Sequence, residues 1–152
     1  MAGAKTQTKA AAPTVEEVGV AMMSRDITAQ WLGIELLEVR SGYARMQMTV
    51  RKEMANGHGI CHGGMIFTLS DTTFAYACNS HNQVALATSC MIDFLSPGQI
   101  GDVLTAEATE QHLRGRFGVY DIKVTRGEGA KGELIAVFRG KSAQLKDQVI
   151  PT

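Results

Sequence analysis

From Gly63 to Ser80 the chain reads Gly-Gly-Met-Ile-Phe-Thr-Leu-Ser-Asp-Thr-Thr-Phe-Ala-Tyr-Ala-Cys-Asn-Ser, and Asp71 is its only formally charged residue. On a helical wheel Met65, Ile66, Phe67, Leu69, Phe74, Tyr76 and Cys78 fall on nearly every side, the pattern of a helix enclosed by other structure. The remaining chain must therefore be arranged around it. Burying an unpaired carboxylate in such a helix costs several kcal/mol or drives its pKa upward, which makes Asp71 a candidate functional group.

Strands supply the enclosure. Thr14-Val-Glu-Glu17 has the form of a capping box, and Val15, Val18 and Met22 recur at helical spacing, predicting a first helix that ends near Ser24. From Leu32 onward the period changes. After a turn at Ser41-Gly42, Ala44, Met46, Met48 and Val50 alternate with Arg45, Gln47, Thr49 and Arg51, as in a half-buried strand. The central helix is expected from about Gly64 to Ser80, and a long strand from Val84 to Leu95, stopped by Ser96-Pro97-Gly98. Strands at about Asp102 to His112, Phe117 to Thr125 and Glu133 to Gln144 follow, joined by Leu113-Arg-Gly-Arg116 and by the loop from Gly127 to Gly132. Short hairpin loops imply antiparallel neighbours, so the layout is α+β, with a curved sheet wrapped around one long helix. Residues 1–13 lack apolar periodicity and read as a mobile tail; a single domain over 14–146 and a short tail at 147–152 complete the chain.

At the head of the central helix the first-turn N-H groups have no partners within the helix. With no Cβ at Gly63 or Gly64, a carbonyl oxygen can approach these amides, and charge developing on it would be stabilised there. Gly64 fits this role or that of a tight turn into the helix. His62 is a base or a loop-fixing residue, and Asn56, before Gly57, has the place of a turn residue tolerating positive φ. An acid two turns beyond could act on the same carbonyl, from the same chain or a neighbouring one. Together these groups point to acyl transfer.

Asn56, His62-Gly63-Gly64 six residues later and Asp71 nine beyond that histidine closely resemble the hotdog-fold acyl-CoA thioesterases, and within them the phenylacetic-acid-degradation type called PaaI. The likeness continues through Asp71 to Ser80 and Ile92 to Gly98, and on to Phe138-Arg139-Gly140-Lys141-Ser142, covering roughly residues 15 to 145. The resemblance implies a hotdog fold and hydrolysis of phenylacetyl-CoA or ring-hydroxylated phenylacetyl-CoA to the free acid and coenzyme A. It implies Asp71 as the catalytic carboxylate, either attacking the thioester carbonyl or activating water, with Gly63 as oxyanion donor and Asn56 and His62 beside them. It also implies homodimers with shared active sites that pair into tetramers, and no cofactor beyond the coenzyme A of the substrate.

For the coenzyme A portion, Phe94 and Ser96 lie in the strand-loop region that contacts it in related enzymes. Arg114, Arg116, Arg139 and Lys141 are the basic candidates for its phosphates. Some relatives of this type carry a basic residue where Ser96 stands. Rival readings within the fold are an enoyl-CoA hydratase or dehydratase and a non-catalytic acyl-CoA-binding module.

The balance of 15 Lys and Arg against 15 Asp and Glu lacks the basic excess of nucleic-acid binding. No stretch reaches the roughly 20 apolar residues of a membrane span, and the N-terminus lacks a signal-peptide core, so a cytoplasmic protein is expected. Cys61, Cys78 and Cys90, odd in number and irregular in spacing, fit reduced thiols. His58, Cys61 and His62 do not make a metal site, because the glycines among them break a regular helix and no further ligands have motif spacing. Gly57-His-Gly59 is not continued as a dinucleotide fingerprint, and Ser70 lacks the glycines of a nucleophile elbow.

Overall fold

A computed structural model describes residues 11–127 and 132–152. Most of the expected N-terminal tail, and residues 128–131 of the loop from Gly127 to Gly132, lie outside the described residues. In chain order the elements are α1 (Val15–Met23), α2 (Ile27–Leu32), β1 (Glu35–Arg40), β2 (Tyr43–Thr49), a 3-10 turn at Lys52–Met54, α3 (Gly63–Asn79), β3 (Gln83–Phe94), β4 (Val103–Arg114), β5 (Phe117–Arg126) and β6 (Glu133–Gln148). The six strands form one antiparallel sheet in the order β1-β2-β4-β5-β6-β3, and α3 lies against all of them. This is the α+β hotdog architecture, a sheet folded around a central helix.

The expected capping box at α1 is present, with the Thr14 hydroxyl accepting from Glu17 N and the Glu17 carboxylate accepting from Thr14 N. The alternation along β2 is also realised: Ala44, Met46, Met48 and Val50 are buried, and the residues between them are not. Two elements were not anticipated from sequence. α2 is a single helical segment of six residues, capped by the Asp26 side chain and ended by Gly33 in the left-handed region, and β1 is an edge strand with one fully buried residue, Val39.

At the C-terminus, the tail expected at 147–152 is corrected by the hydrogen bonding. β6 runs on to Gln148, Val149 is buried, and the Asn82 carboxamide both donates to and accepts from the Ile150 backbone. These bonds hold the residues after the strand against the turn between α3 and β3.

α3 is buried along most of its length, with Leu69, Phe74, Tyr76 and Ala77 inaccessible to solvent. The buried Ser70 and Thr73 hydroxyls are satisfied within the helix, donating to Ile66 O and Leu69 O, while that of Tyr76 donates outward to Asp26. The C-terminal end is locked to the sheet by Asn79, which donates to Ala75 O and Ala85 O and accepts from Ala85 N.

The approach of helix to sheet depends on Gly140 of β6. A Cβ there would stand 2.8 Å from the Phe74 ring, which packs in turn against Tyr120 and Phe138. Gly140→Ala is therefore expected to force the helix and sheet apart and to destabilise the fold by about 1–3 kcal/mol, the usual cost of overpacking a core. A urea unfolding midpoint unchanged from wild type would show that the ring yields without cost.

Candidate active site

The site forms where β3 ends and α3 begins. The loop before the helix is pinned on both sides: Cys61 N donates to Gly98 O, His62 N to Met54 O, and Asn56 N to Ile60 O. At the first turn of α3, His62 is the N-cap, and its Nδ1 accepts from Gly64 N at 2.8 Å. That contact places the ring proton on Nε2 and uses His62 as a helix cap. It also occupies the Gly64 amide. Met65 N and Ile66 N both reach His62 O, so among the described residues Gly63 is the one amide of this turn without a hydrogen-bond partner. The open donor is at Gly63.

A cleft of about 300 Å³ opens beside this amide, walled by Asn56, Ile60, Cys61, Gly63, Ile66 and the segment from Phe94 to Pro97. A Cβ at Gly63 would meet the Phe94 ring at 3.1 Å, so any larger residue there would have to push the ring outward by a few tenths of an ångström. Asn56 is oriented by its loop. Its Oδ1 accepts from His58 N at 2.9 Å and from Ile60 N at 3.4 Å, which fixes the carboxamide and leaves Nδ2 as a donor without a partner among the described residues.

Asp71 lies half-buried on α3, eight residues beyond Gly63, which at 1.5 Å per residue is about 12 Å along the axis. Its Oδ1 accepts from Cys90 Sγ of β3 at 3.8 Å, and it forms no ion pair among the described residues. Burial raises its pKa above the ordinary carboxylate value, against a smaller lowering by the Cys90 thiol. One carbonyl group is too small to touch Gly63 N and the Asp71 carboxylate of the same rigid helix.

Of the residues singled out from sequence, Asn56, Gly63, Phe94 and Ser96 thus come together at the cleft, with His62 supporting it. The four basic candidates do not join them. Arg139 and Lys141 alternate along β6 with the buried Phe138, Gly140 and Ser142, so they stand on the sheet face away from α3, and Arg139 pairs bidentately with Asp121. Arg114 and Arg116 flank the β4–β5 turn. Phe117 beside them is in register with Ala143 and through it with Leu86, whereas Phe94 is eight residues further along β3, about 26 Å away at strand rise. A group in this cleft would meet those arginines only from a second chain.

Sequence reasoning missed Ile60, Ile66, Leu95 and Pro97 as walls of the cleft, and Cys90 as the partner of Asp71. The period of two along β3 carried a signal for Cys90, because Cys90 and Ile92 both pack toward the core. Cys61 is buried in the cleft wall, and burial, with Asp102 adding to it, pushes its thiol up to about 11, so it carries its proton at neutral pH. Among the described residues no three His, Cys, Asp or Glu side chains gather as metal ligands, and no helix is long and apolar enough to cross a membrane.

Comparison with known proteins agrees with this geometry. The family described as Thioesterase superfamily matches residues 58–133. Acyl-coenzyme A thioesterase PaaI of Escherichia coli strain K12 is 46% identical over 125 residues, 82% of this chain and 87% of that protein. A putative esterase of Archaeoglobus fulgidus is 36% identical over 138 residues, 91% of this chain and 88% of its own length. Among solved structures, the E. coli PaaI protein from the phenylacetic acid degradation operon superposes with a TM-score of 0.84 at 43% identity, covering 88% of this chain and 95% of that one. The TT0310 protein of Thermus thermophilus gives 0.75 at 34% identity, covering 80% and 99%. The chain belongs to the thioesterase superfamily and is a thioester hydrolase of the PaaI type.

Proposed function

We propose that the protein hydrolyses acyl-coenzyme A thioesters, with phenylacetyl and ring-hydroxylated phenylacetyl groups as its acyl portions, in sites shared between two chains. The observation that carries this reading is the partnerless Gly63 amide facing a cleft, with a half-buried carboxylate too far along the same helix to reach that cleft. The thioester oxygen accepts from Gly63 N, and the Asn56 amide supplies a second donor. Asp71 of the partner subunit then either attacks the carbonyl carbon, giving a mixed anhydride that water opens, or takes a proton from water as the water attacks. In both routes the C–S bond breaks, the sulfur leaves as the coenzyme A thiolate, and the acid is released. No metal or redox group enters this scheme.

β3 supports pairing of chains. It is a twelve-residue edge strand whose outer side has no partner strand among the described residues, and Leu86, Met91, Phe94 and Leu95 along and just beyond it are exposed by 52–63%. Such an edge is a template for another strand, and a second copy is the partner a shared site requires. By the same reading the pairs assemble into a tetramer. The aryl preference follows the likeness to the E. coli enzyme, and three unpaired cysteines favour a reducing, cytoplasmic setting.

The direct test is thiol release from a panel of aryl, hydroxyaryl, short aliphatic and long aliphatic acyl-CoA esters. Consumption of an enoyl-CoA double bond without thiol release would assign a hydratase instead, and binding without turnover would assign an acyl-CoA-binding module.

Asp71→Asn is expected to lower kcat by about two to four orders of magnitude while leaving the fold intact. Its stability carries a second signature. Because burial raises the folded-state pKa of Asp71, the wild type loses stability as pH rises from the ordinary carboxylate range through that raised value. The asparagine variant should therefore melt higher than wild type at neutral pH and converge with it below about pH 4, the unfolded value. Parallel melting curves between pH 3 and 8 would contradict the buried, ionisable placement.

Shared sites make a further prediction. Gly63→Val, which blocks the amide, and Asp71→Asn should each be inactive as homodimers. Co-refolded in equal amounts, they should recover about a quarter of wild-type turnover, since half of the dimers are mixed and each has one intact site. No recovery from a verified mixed dimer would place the whole site within one chain.

A further inference from the structure

Asp71 has one side-chain partner among the described residues, the thiol of Cys90. Cys90 sits on β3 directly across from Gly140 of β6, the residue whose missing Cβ lets Phe74 of α3 close on the sheet. Helix and strand are thus held close where the Cys90 thiol reaches the Asp71 carboxylate, and Cys90 is half-buried with Ile92 beside it on the core. We infer that Cys90 is a positioning residue for thioester hydrolysis: its S–H holds Oδ1 of Asp71 and turns Oδ2 toward the reacting carbonyl or water. The inference rests on the role given to Asp71 above.

Three observations favour positioning over chemistry by the sulfur itself. Burial and the neighbouring Asp71 push the Cys90 thiol up to about 11, so at neutral pH it keeps its proton and acts as a donor. Donation goes to the Asp71 carboxylate at 3.8 Å, within range for sulfur, and the thiol makes no second side-chain hydrogen bond among the described residues. The other titratable neighbour is Cys78, seven residues on along α3, whose thiol burial also keeps protonated. No cation faces Asp71 from any element packed on it among the described residues. A carboxylate side chain has two free torsions, and tethering one oxygen removes freedom that would otherwise be lost in the transition state.

The test uses the full chain and phenylacetyl-CoA, with pH profiles of kcat and kcat/KM for wild type, Cys90→Val, Cys90→Ser and Asp71→Asn. Valine suits a strand but cannot donate, and it is larger than cysteine by about a methyl group; serine donates more strongly than the thiol. The donor stabilises ionised Asp71, so in Cys90→Val the acid limb should move to higher pH and kcat at neutral pH should fall about two- to ten-fold with KM little changed. Cys90→Ser should return the limb to the wild-type position or below it. A packing defect alone would lower stability without moving the limb; Cys90→Ala serves the same comparison where the valine variant does not fold. A valine or alanine profile that superimposes on wild type, while Asp71→Asn is inactive, overturns the role of Cys90 alone. An active Asp71→Asn overturns the role of Asp71 and this one with it.

Discussion

A helix is a rigid ruler, and the distance it imposes between Gly63 and Asp71 governs the rest of the site. Eight residues at 1.5 Å each separate the open amide from the carboxylate by about 12 Å, and α3 cannot bend to shorten that distance. It is held by Asn79 at one end, by the His62 cap at the other and by all six strands along its flank. If both groups act on one carbonyl, as proposed above, they must lie within a few ångströms of it, and on an enclosed helix that proposal calls for a second chain to supply the missing half. The free edge of β3, beside the cleft and apolar, is where such a chain can join the sheet.

Around the cleft, hydrogen bonds are satisfied almost to completion, and the exceptions are informative. Every non-proline helix starts with amides that its own backbone cannot satisfy. Here His62 takes the Gly64 amide, the His62 carbonyl takes the next two, and among the described residues the Gly63 amide is the one of this turn left without a partner. The Asn56 carboxamide shows the same division, its oxygen committed to two loop amides and its NH2 group uncommitted. A loop that is rigid through bonds to its neighbours, with two donors left over on the cleft side, resembles an oxyanion site before its ligand arrives.

Much of this was legible in the sequence because burial imposes periods. The apolar faces of α3 and the alternation of Ala44, Met46, Met48 and Val50 identified the central helix and β2 directly. α2 and β1 were not legible for the converse reason. α2 is six residues long and leaves Ile27 and Trp31 exposed by 79% and 69%, and β1 is an edge strand that leaves Leu37 exposed, so neither writes a clean period. At the site, Asn56 and Gly63 could be grouped because loop and helix start are neighbours along the chain, whereas Phe94, at the far end of β3, was named only through the family resemblance. The arginines could not be placed, since charge on a hairpin gives no distance from a cleft, and Cys90 could be matched to Asp71 only through the register of β3 on β6 and the packing of α3.

Under the role proposed for it above, the half-buried state of Asp71 is a compromise between two demands. A fully solvated carboxylate would keep an ordinary pKa but would be a poorer base or nucleophile, and a fully buried one would stay protonated at neutral pH. Burial on α3 raises its pKa while the Cys90 donor restrains the rise without introducing a cation that would hold the charge in place. A lysine or arginine at position 90 would secure ionisation more strongly, but it would also stabilise the resting carboxylate and take up the oxygen lone pairs that the reaction needs. A protonated thiol is a weak donor, and that weakness suits a group whose partner must stay reactive. Among the described residues Arg139, on the far face of the sheet with Asp121, and Arg126, with Asp102 and Glu133, are each bound to acids away from Asp71.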